Sequence, residues 1–455
     1  MTTLDRRTFI KSAAAGAGGL ALSGPLQAFA AQSAGAAPVR GSGADSYGPI
    51  APAVDHTTGQ ELLALPEGFE YWSFGEVGST MSDGLPTPAS HDGMAAFPWH
   101  QKVRLVRNHE VRGTAPAFGP ADTAYDTSAG GGNTIIEFDP RDPGSVMSWG
   151  ALSGTNTNCA GGATPWKSWL TCEETLEVNG KPHGYVFETS ARVEGFQAAV
   201  PLKGLGRFVH EALAVDPSTN NIYLTEDAGG TSGFYRHVPR SNRQPLGEGT
   251  LQMAAVVGTP NANLGAGFTA GTRFEIAWVD IADPDPDLAG GAPSTFAQGA
   301  VLGGAAFRRL EGAIWSQRDK AIYFNSTDGG AAAAGQVWAW YKQRGKEYVE
   351  LVYESPSTDT LLKPDNITVS PEGGILLCED TDRARQTFLR GVDQNGELYD
   401  FAANIRTGTI PGTTTPASWD EFAGATFQGD WLFVNIQTPG VTFAITGPWH
   451  RGPLG

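Results

Sequence analysis

A two-part pattern occurs six times along this chain of 455 residues. Each copy opens with an acidic or small residue at the start of an apolar run, and about fifteen residues later a second apolar run closes with a polar residue. In chain order the opening residues are Asp92, Cys159, Glu211, Glu311, Asp365 and Glu421, and the closing residues are Glu110, Glu173 or Glu174, Glu226, Asn325, Glu379 and Asn435. The last five copies keep their internal spacing to within one residue, which indicates a structural repeat.

The composition between these positions predicts an all-β fold. Short runs of β-branched and aromatic residues alternate with many of the 60 glycines and 30 prolines, and few amphipathic helical patterns occur. Blades arranged radially around a channel bury such units and leave only short sheet edges. We therefore predict a six-bladed β-propeller. A parallel β-helix is the competing arrangement, but its repeats are about half as long.

The N-terminal segment has the pattern of an export signal. Arg6 and Arg7 precede a mildly apolar run that extends to about Ala30, as in a twin-arginine signal peptide. We predict a signal peptide over residues 1–30, a flexible linker over 31–45 and a single propeller domain over 46–455. The expected location is periplasmic or extracellular, with the twin-arginine translocon as a partner during export.

A short transmembrane anchor is the alternative interpretation of this segment. Its apolar run is interrupted by glycines and by Pro25, and no other stretch approaches the roughly 20 apolar residues that span a bilayer. We therefore expect no stable membrane anchor. The net charge of −17 also argues against nucleic acid as a partner, because nucleic acids bind basic protein faces.

The repeated polar positions predict a central metal-binding channel. The innermost strands of a propeller converge on its channel, so the opening residues would form one ring and the closing residues a second acidic layer. Carboxylates that face each other in this way are unfavourable unless cations neutralise them. Oxygen ligands favour calcium or magnesium, whereas the thiolate of Cys159 favours a transition metal such as iron.

Strand alternation separates residues that face the channel from their neighbours. His109 and His210 each precede a repeated glutamate and should point away from the face that this glutamate occupies. In the second unit either Glu173 or Glu174 fits the spacing, and we favour Glu174. Three cysteines are too few for a disulfide framework, and we expect Cys172 and Cys378 to be buried core residues.

Four motifs carry a family resemblance. They are Arg107-Asn108-His109-Glu110, the block from Asn158-Cys159-Ala160-Gly161-Gly162 to Trp169-Leu170-Thr171-Cys172-Glu173-Glu174, Phe208-Val209-His210-Glu211, and Lys363-Pro364-Asp365-Asn366. In these motifs the chain resembles the PhoX family of calcium- and iron-dependent alkaline phosphatases, over about residues 46–449. The resemblance implies a six-bladed propeller whose centre holds Fe3+ and Ca2+ and hydrolyses small phosphorylated substrates. It also implies the metal ligands Cys159, Glu174, Glu211, Glu311, Asp365 and Glu379.

Arg309 is the candidate catalytic residue. It lies two residues before Glu311, so the period of a strand puts both side chains on the same side. Its guanidinium either pairs with a channel carboxylate or binds two oxygens of a phosphate bidentately.

The predicted function is that of a secreted alkaline phosphatase that hydrolyses phosphate monoesters at a centre of iron and calcium. Clustered metals neutralise phosphate oxygens and activate a nucleophile, and no G-x-S-x-G motif indicates a serine hydrolase instead. The residues leave two alternatives open, since fold alone does not determine function. One is a calcium-dependent lactonase or esterase, and the other is a non-catalytic calcium-binding propeller.

Overall fold

The structure, a computed structural model, describes residues 46–393 and 396–455. The predicted signal peptide over 1–30 and linker over 31–45 lie outside the described residues. Within the described part the chain is almost entirely β-structure. No helix there combines the length and the apolar character that crossing a membrane requires.

The strands are numbered in chain order. The first ten are β1 (Ile50–Val54), β2 (Glu61–Pro66), β3 (Glu70–Phe74), β4 (His91–Trp99), β5 (Lys102–His109), β6 (Gly131–Phe138), β7 (Val146–Thr155), β8 (Asn158–Ala163), β9 (Ser168–Glu173) and β10 (Val186–Ser190). The next nine are β11 (His210–Val215), β12 (Ile222–Glu226), β13 (Phe234–Pro239), β14 (Gly249–Val256), β15 (Arg273–Asp280), β16 (Leu310–Ser316), β17 (Ala321–Ser326), β18 (Gln336–Gln343) and β19 (Lys346–Glu354). The last seven are β20 (Pro364–Val369), β21 (Ile375–Glu379), β22 (Phe388–Val392), β23 (Leu398–Asn404), β24 (Phe422–Gln428), β25 (Trp431–Ile436) and β26 (Val441–Thr446).

Helical structure is sparse in the described residues. The α-helix α1 (Thr295–Val301) lies between β15 and β16, and short 3-10 helices cover Lys203–Leu205, Ala417–Trp419 and Trp449–Arg451. The helix α1 begins after Ser294, whose hydroxyl accepts the Ala297 N–H at 3.2 Å and so caps an otherwise unpaired donor.

Six innermost strands surround the channel. They are β4, β8, β11, β16, β20 and β24; each contacts the next, and β24 contacts β4 to close the ring. Each begins a unit of antiparallel strands that leads outward, so the all-β class and the propeller-like arrangement are confirmed. The six innermost strands belong to five continuous hydrogen-bonded sheets. The number is five because β15 pairs with β19, which joins the third and fourth units into one nine-stranded sheet.

The N-terminal strands complete the last two units. Strand β3 pairs with β26 as the outer strand of the sixth unit, and β2 pairs with β23 of the fifth unit, with β1 outside it. Aromatic side chains then fill the space between neighbouring units. Phe138 meets Phe433 at a ring-centroid distance of 5.0 Å, and Phe234 stacks on Phe324 at 4.5 Å. Full burial of each such ring contributes about 1.5–3 kcal/mol.

Every innermost strand contains a β-bulge where it pairs with the second strand of its unit. Two residues of the innermost strand there oppose one residue of its partner, as between His91 and Met94 or between Leu310 and Ala313. The same irregularity occurs in the other four units. A bulge re-aims the side chain that it carries and increases the local twist. In the first five units the opening residue of the repeat lies inside the bulge.

Polar side chains of the second strands hold neighbouring units together at these bulges. The residue one position before the end of the second strand donates to a backbone carbonyl of the next innermost strand: Asn108 to Cys159, Thr225 to Glu311, Asn325 to Asp365 and Asn435 to Asp92, at 2.7–2.9 Å. We call these four residues the inter-unit clamps. All four are buried, and each contributes on the order of 1 kcal/mol as a satisfied hydrogen bond.

The two remaining units have cysteines at the clamp position. Cys172 and Cys378 are fully buried in apolar clusters, as expected from the sequence, and all three cysteines are free. Glycine supports the close approach of the innermost strands: a Cβ on Gly93 would lie 2.5 Å from the Ala160 Cα, and one on Gly312 would lie 2.8 Å from the Asp365 carbonyl oxygen.

Candidate metal centre

The candidate ligands gather at one end of the channel. In each unit the start of the innermost strand pairs with the end of the second strand, as His210 does with Glu226 and Pro364 with Glu379. Asp92, Cys159, Glu211, Glu311 and Asp365 are each the second residue of an innermost strand. Because these strands form a closed ring, their bulged starting residues face one another across the channel.

The residue directly after the second strand also faces the channel. This position is occupied by Glu110, Glu174, Asp227 and Asp380 in the first, second, third and fifth units. Its backbone N–H donates to the residue just before the innermost strand, for instance Glu174 to Thr157 at 2.9 Å and Asp380 to Lys363 at 3.0 Å. The last residue of the strand therefore points to the opposite face.

Six residues form one continuous ligand cluster. Within each of three groups the ligand atoms all lie within 4.8 Å of one another: Cys159, Glu174 and Glu211; Glu174, Asp227 and Glu311; and Glu211, Glu311 and Asp365. Because the groups share members, the cluster runs without a break from the second unit to the fifth. We call these six residues the acidic cluster.

The structure thus brings together five of the six residues predicted from the sequence, and it places the sixth elsewhere. Glu379 ends β21 and faces away from the channel, where its carboxylate accepts the Leu362 N–H at 3.1 Å and pairs with Arg385 at 2.8 Å and Arg390 at 3.3 Å. Asp380 takes the expected position after the second strand, and after burial its negative charge contributes most to raising the pKa of Asp365.

In the third unit, too, the residue that faces the channel is one position later than the one selected from the sequence. Glu226 accepts hydrogen bonds from the Gly233 N–H at 2.9 Å and the Tyr235 hydroxyl at 2.7 Å, inside the sheet. Asp227, which the sequence analysis did not select, enters the acidic cluster instead. Alternation along the strand, applied to the pair Glu226-Asp227, is the signal that would have found it.

In the second unit the structure selects between the two adjacent glutamates. Glu174 joins the acidic cluster, whereas Glu173 is fully buried and binds the His183 imidazole at 2.6 Å and the N–H groups of Asn156 and Gly184 at 2.9 Å. His109 and His210 also point away from the channel, as predicted, because their ring nitrogens contact the carbonyl oxygens of Ala89 and Gly206.

Three other repeat positions differ from the predicted ring. Asn325 and Asn435 are inter-unit clamps and do not supply a second layer of ligands. Glu421 lies one residue before β24, aligned with Arg309 and Lys363 of the preceding units rather than with Glu311. Burial, and then the charges of Asp380 and Asp365, raise the pKa of Glu421 well above its ordinary value.

Burial and mutual repulsion keep the cluster carboxylates from ionising freely. Burial and then the charge of Glu311 raise the pKa of Glu211 well above its ordinary value, and burial and then Asp227 do the same for Glu311. For Asp365, burial and then Asp380 raise the pKa to about 7. Ionising several of these groups together is therefore costly unless positive charge is added among them.

Cys159, like the carboxylates, needs nearby positive charge in order to ionise. Its sulfur is buried and lies 3.3 Å from the His210 carbonyl oxygen, within ligand distance of Glu174 and Glu211. Burial, then the charges of Glu211 and Glu174, raise the pKa of the thiol. A thiolate among carboxylates needs a cation, and a metal bound to sulfur provides one.

Two arginines reach the cluster from its open end. Arg309 donates from Nε and Nη2 to the two carboxylate oxygens of Asp227, at 3.0 and 3.1 Å, and its Nη2 lies 3.0 Å from Glu311 Oε1. It is thus on the same side as Glu311, as predicted. Arg112, which the sequence analysis did not select, pairs through Nη2 with Glu110 and with Glu174 Oε2, the latter at 2.9 Å.

The donor set fits bound cations. Glu311 Oε1 is buried and accepts no hydrogen bond of good geometry among the described residues, although Arg309 is close. Carboxylate oxygens are hard ligands suited to calcium, and the single thiol adds a donor suited to iron. Below the cluster the channel narrows to a cavity of about 50 Å³ lined mainly by alanine and glycine of the innermost strands. At the acidic end, by contrast, the side chains of Arg112 and Arg309 are 63% and 27% exposed, so solvent reaches the cluster from that end.

Comparison with known proteins identifies related folds and a family. A family model described as "Alkaline phosphatase PhoX" matches residues 45–147 and 141–440. The solved structure of Pseudomonas fluorescens PhoX in complex with vanadate, a transition state analogue, aligns with a TM-score of 0.65 at 17% identity, over 90% of this chain and 99% of that one. A sequence comparison with curated proteins finds no match.

Two other solved structures align less well. A Xanthomonas campestris gluconolactonase has a TM-score of 0.40 at 14% identity, over 90% of this chain and 100% of that one. A Trypanosoma rangeli sialidase has a TM-score of 0.38 at 7% identity, over 83% of this chain and 59% of that one.

The acidic cluster predicts that Glu211→Gln stabilises the metal-free protein but destabilises the metal-loaded protein. In protein stripped of metal at pH 8, the substitution should raise the free energy of unfolding by on the order of 1 kcal/mol, because it removes a buried carboxylate that repels Glu311 and Asp365. In metal-loaded protein it should lower the free energy of unfolding, because a ligand is lost. Denaturant midpoints with and without a chelator measure both effects.

Glu248→Gln is the matched control. Its carboxylate is 81% exposed in the turn before β14 and should shift neither midpoint. A Glu211→Gln variant that is destabilised equally with and without metal would contradict the repulsion described here.

Proposed function

This chain belongs to the family of PhoX alkaline phosphatases, and we propose that its phosphate monoesterase centre is the acidic cluster, loaded with Fe3+ and Ca2+. The observation that carries the proposal is the meeting of Cys159, Glu174 and Glu211 within 4.8 Å. A thiolate within an otherwise carboxylate site suits iron next to calcium, and a site for calcium alone would not need it.

When bound, such ions neutralise phosphate oxygens and activate water as a nucleophile. The residues of this chain supply the remaining functions. Cys159, Glu174, Glu211, Glu311, Asp365 and Asp227 hold the ions, while Asp92, Glu110, Asp380 and Glu421 add negative charge around them. Small phosphorylated substrates would approach from the acidic end, where the side chain of Arg112 is 63% exposed.

Arg309 is the proposed catalytic residue. Asp227 holds its guanidinium through two hydrogen bonds, which fixes the plane of the group beside Glu311. The outer N–H groups of a guanidinium held in this way can donate to two phosphoryl oxygens. Such donors stabilise the charge that the phosphoryl group carries in the transition state, because they are oriented before the reaction begins.

We also propose that the protein is exported through the twin-arginine pathway to the periplasm or beyond. The support is the arrangement of Arg6 and Arg7 before an apolar run, with the signal over 1–30, a linker over 31–45 and the propeller over 46–455. Substitution of Arg6→Lys together with Arg7→Lys should retain active phosphatase in the cytoplasm, as measured by activity in separated cell fractions. Normal export of this double variant would refute the pathway.

A change at Cys159 tests the metal assignment. Cys159→Ser should fold but lose bound iron, together with any visible absorption, because a hydroxyl is a far poorer iron ligand than a thiolate. Elemental analysis of protein purified without chelators measures iron and calcium together. The controls are Cys172→Ser and Cys378→Ser, which alter buried thiols outside the cluster and should keep iron. Iron at the wild-type ratio in Cys159→Ser would leave this thiol as a core residue.

A change at Arg309 tests its catalytic role. Arg309→Lys should lower kcat by roughly tenfold to a thousandfold, because a single ammonium replaces two directed donors, while the iron and calcium contents stay unchanged. Arg308→Lys is the matched control, since the neighbouring Arg308 pairs with Asp328 instead and is 43% exposed. Full activity per metal site in Arg309→Lys would exclude the role.

A further inference from the structure

The two arginines at the acidic cluster differ in how they are held. Arg309 is bound on its Nε and Nη2 sides by Asp227, and its side chain is 27% exposed. Arg112 follows β5 in a loop and uses Nη2 alone to contact Glu110 and Glu174, with its side chain 63% exposed. Among the described residues, its Nε and Nη1 donate no hydrogen bond to protein. Arg112 thus keeps most of its donors available to solvent.

The positions of the two guanidinium groups are related through the cluster. Glu174 contacts Arg112, while Asp227 and Glu311 contact Arg309, and the ligand atoms of these three acids lie within 4.8 Å of one another. The two arginines therefore approach the same ligand group from two sides. Arg309 is the more enclosed of the two and Arg112 the more open to solvent. The leaving group of a substrate whose phosphoryl group lies at Arg309 would therefore pass Arg112 on its way toward solvent.

Bound cations would also change the partners of Arg112. Glu174 is a proposed metal ligand and Glu110 contributes to the charge around the metals, so cations compete with Arg112 for the same oxygen atoms. A guanidinium released in this way remains at the entrance with its N–H donors unpaired. The chemistry that satisfies them is a second anionic group, a carboxylate or phosphate.

From this geometry we infer that Arg112 forms an anion subsite at the channel entrance, which favours phosphate monoesters whose leaving group carries a second negative charge. The inference rests on the proposed function, since it requires the phosphoryl group to lie at Arg309 and cations to occupy the acidic cluster. It assigns Arg112 to the recognition of the leaving group and not to the transferred phosphoryl group.

A matched pair of substrates tests the subsite. Glycerol 3-phosphate and 3-phosphoglycerate have similar size and the same phosphate ester, but the second carries a carboxylate. In Arg112→Gln the ratio of kcat/KM for 3-phosphoglycerate to kcat/KM for glycerol 3-phosphate should fall roughly tenfold, mainly through KM. The ratio is informative because a change in metal content would lower both activities in proportion.

The control is Arg243→Gln. Arg243 is exposed in the turn between β13 and β14, and since β13 starts beside the end of β12 at the channel entrance, this turn lies at the opposite end of the sheet. In Arg243→Gln the ratio of kcat/KM for the two substrates should equal that of the wild type. An unchanged ratio in metal-loaded Arg112→Gln would overturn the inference, whereas wild-type protein inactive on both esters would contradict the proposed function itself.

A second variant covers the case in which Arg112→Gln fails to bind metal. Arg112→Lys keeps one positive charge but loses the planar arrangement of donors, so its ratio should fall about threefold. Metal content measured on the same preparation separates loading from recognition. A metal-loaded Arg112→Lys variant with the wild-type ratio would equally overturn the subsite.

Discussion

Repulsion between buried carboxylates is the constraint on which the rest of this structure depends. The innermost strands direct Glu211, Glu311 and Asp365 at one another, and burial strengthens every interaction between their charges. An isolated pair of such groups would move apart or take up protons. Here the ring of strands keeps them in place. The scaffold must therefore be rigid enough to hold the ligands together before any cation arrives.

The fold provides that rigidity at the positions where repulsion acts. Four of the bulges that re-aim an opening residue are also the places where an inter-unit clamp fastens the neighbouring unit. Asn325 and Asn435 donate to the backbone carbonyls of Asp365 and Asp92, so the clamp fixes the peptide that carries the acidic side chain. The pairing of β3 with β26 prevents the sixth unit from opening. Positions of the acidic side chains thus follow from contacts between units more than from any one sheet.

The sequence alone predicts the channel and most of the residues that meet in the acidic cluster, because equivalent positions of the repeat carry similar residue types. Asp92, Cys159, Glu211, Glu311 and Asp365 could be aligned since each opens an apolar strand. The closing positions were less predictable, and Glu379 and Glu226 were selected one residue too early. The reason is that the turn between the first two strands of a unit varies in length, from two residues at 429–430 to six at 216–221. An equal number of residues between two positions therefore does not place them at equivalent positions of the strand pair. Alternation at adjacent acids corrects the error.

Arg112 could not be found in this way, because nothing in the repeat marks it. It lies in a loop, and only the packing of the second unit against the first brings it beside Glu174. Both arginines contact carboxylates that a metal would also bind, so metal loading and the binding of anionic substrates are thermodynamically linked. Without cations, Arg112 pairs through Nη2 with Glu110 and Glu174. With cations bound to those carboxylates, more of its guanidinium would be available to a substrate, whereas Arg309 would stay oriented by Asp227. Under the proposed function, phosphate recognition by Arg112 would therefore depend on a loaded metal centre.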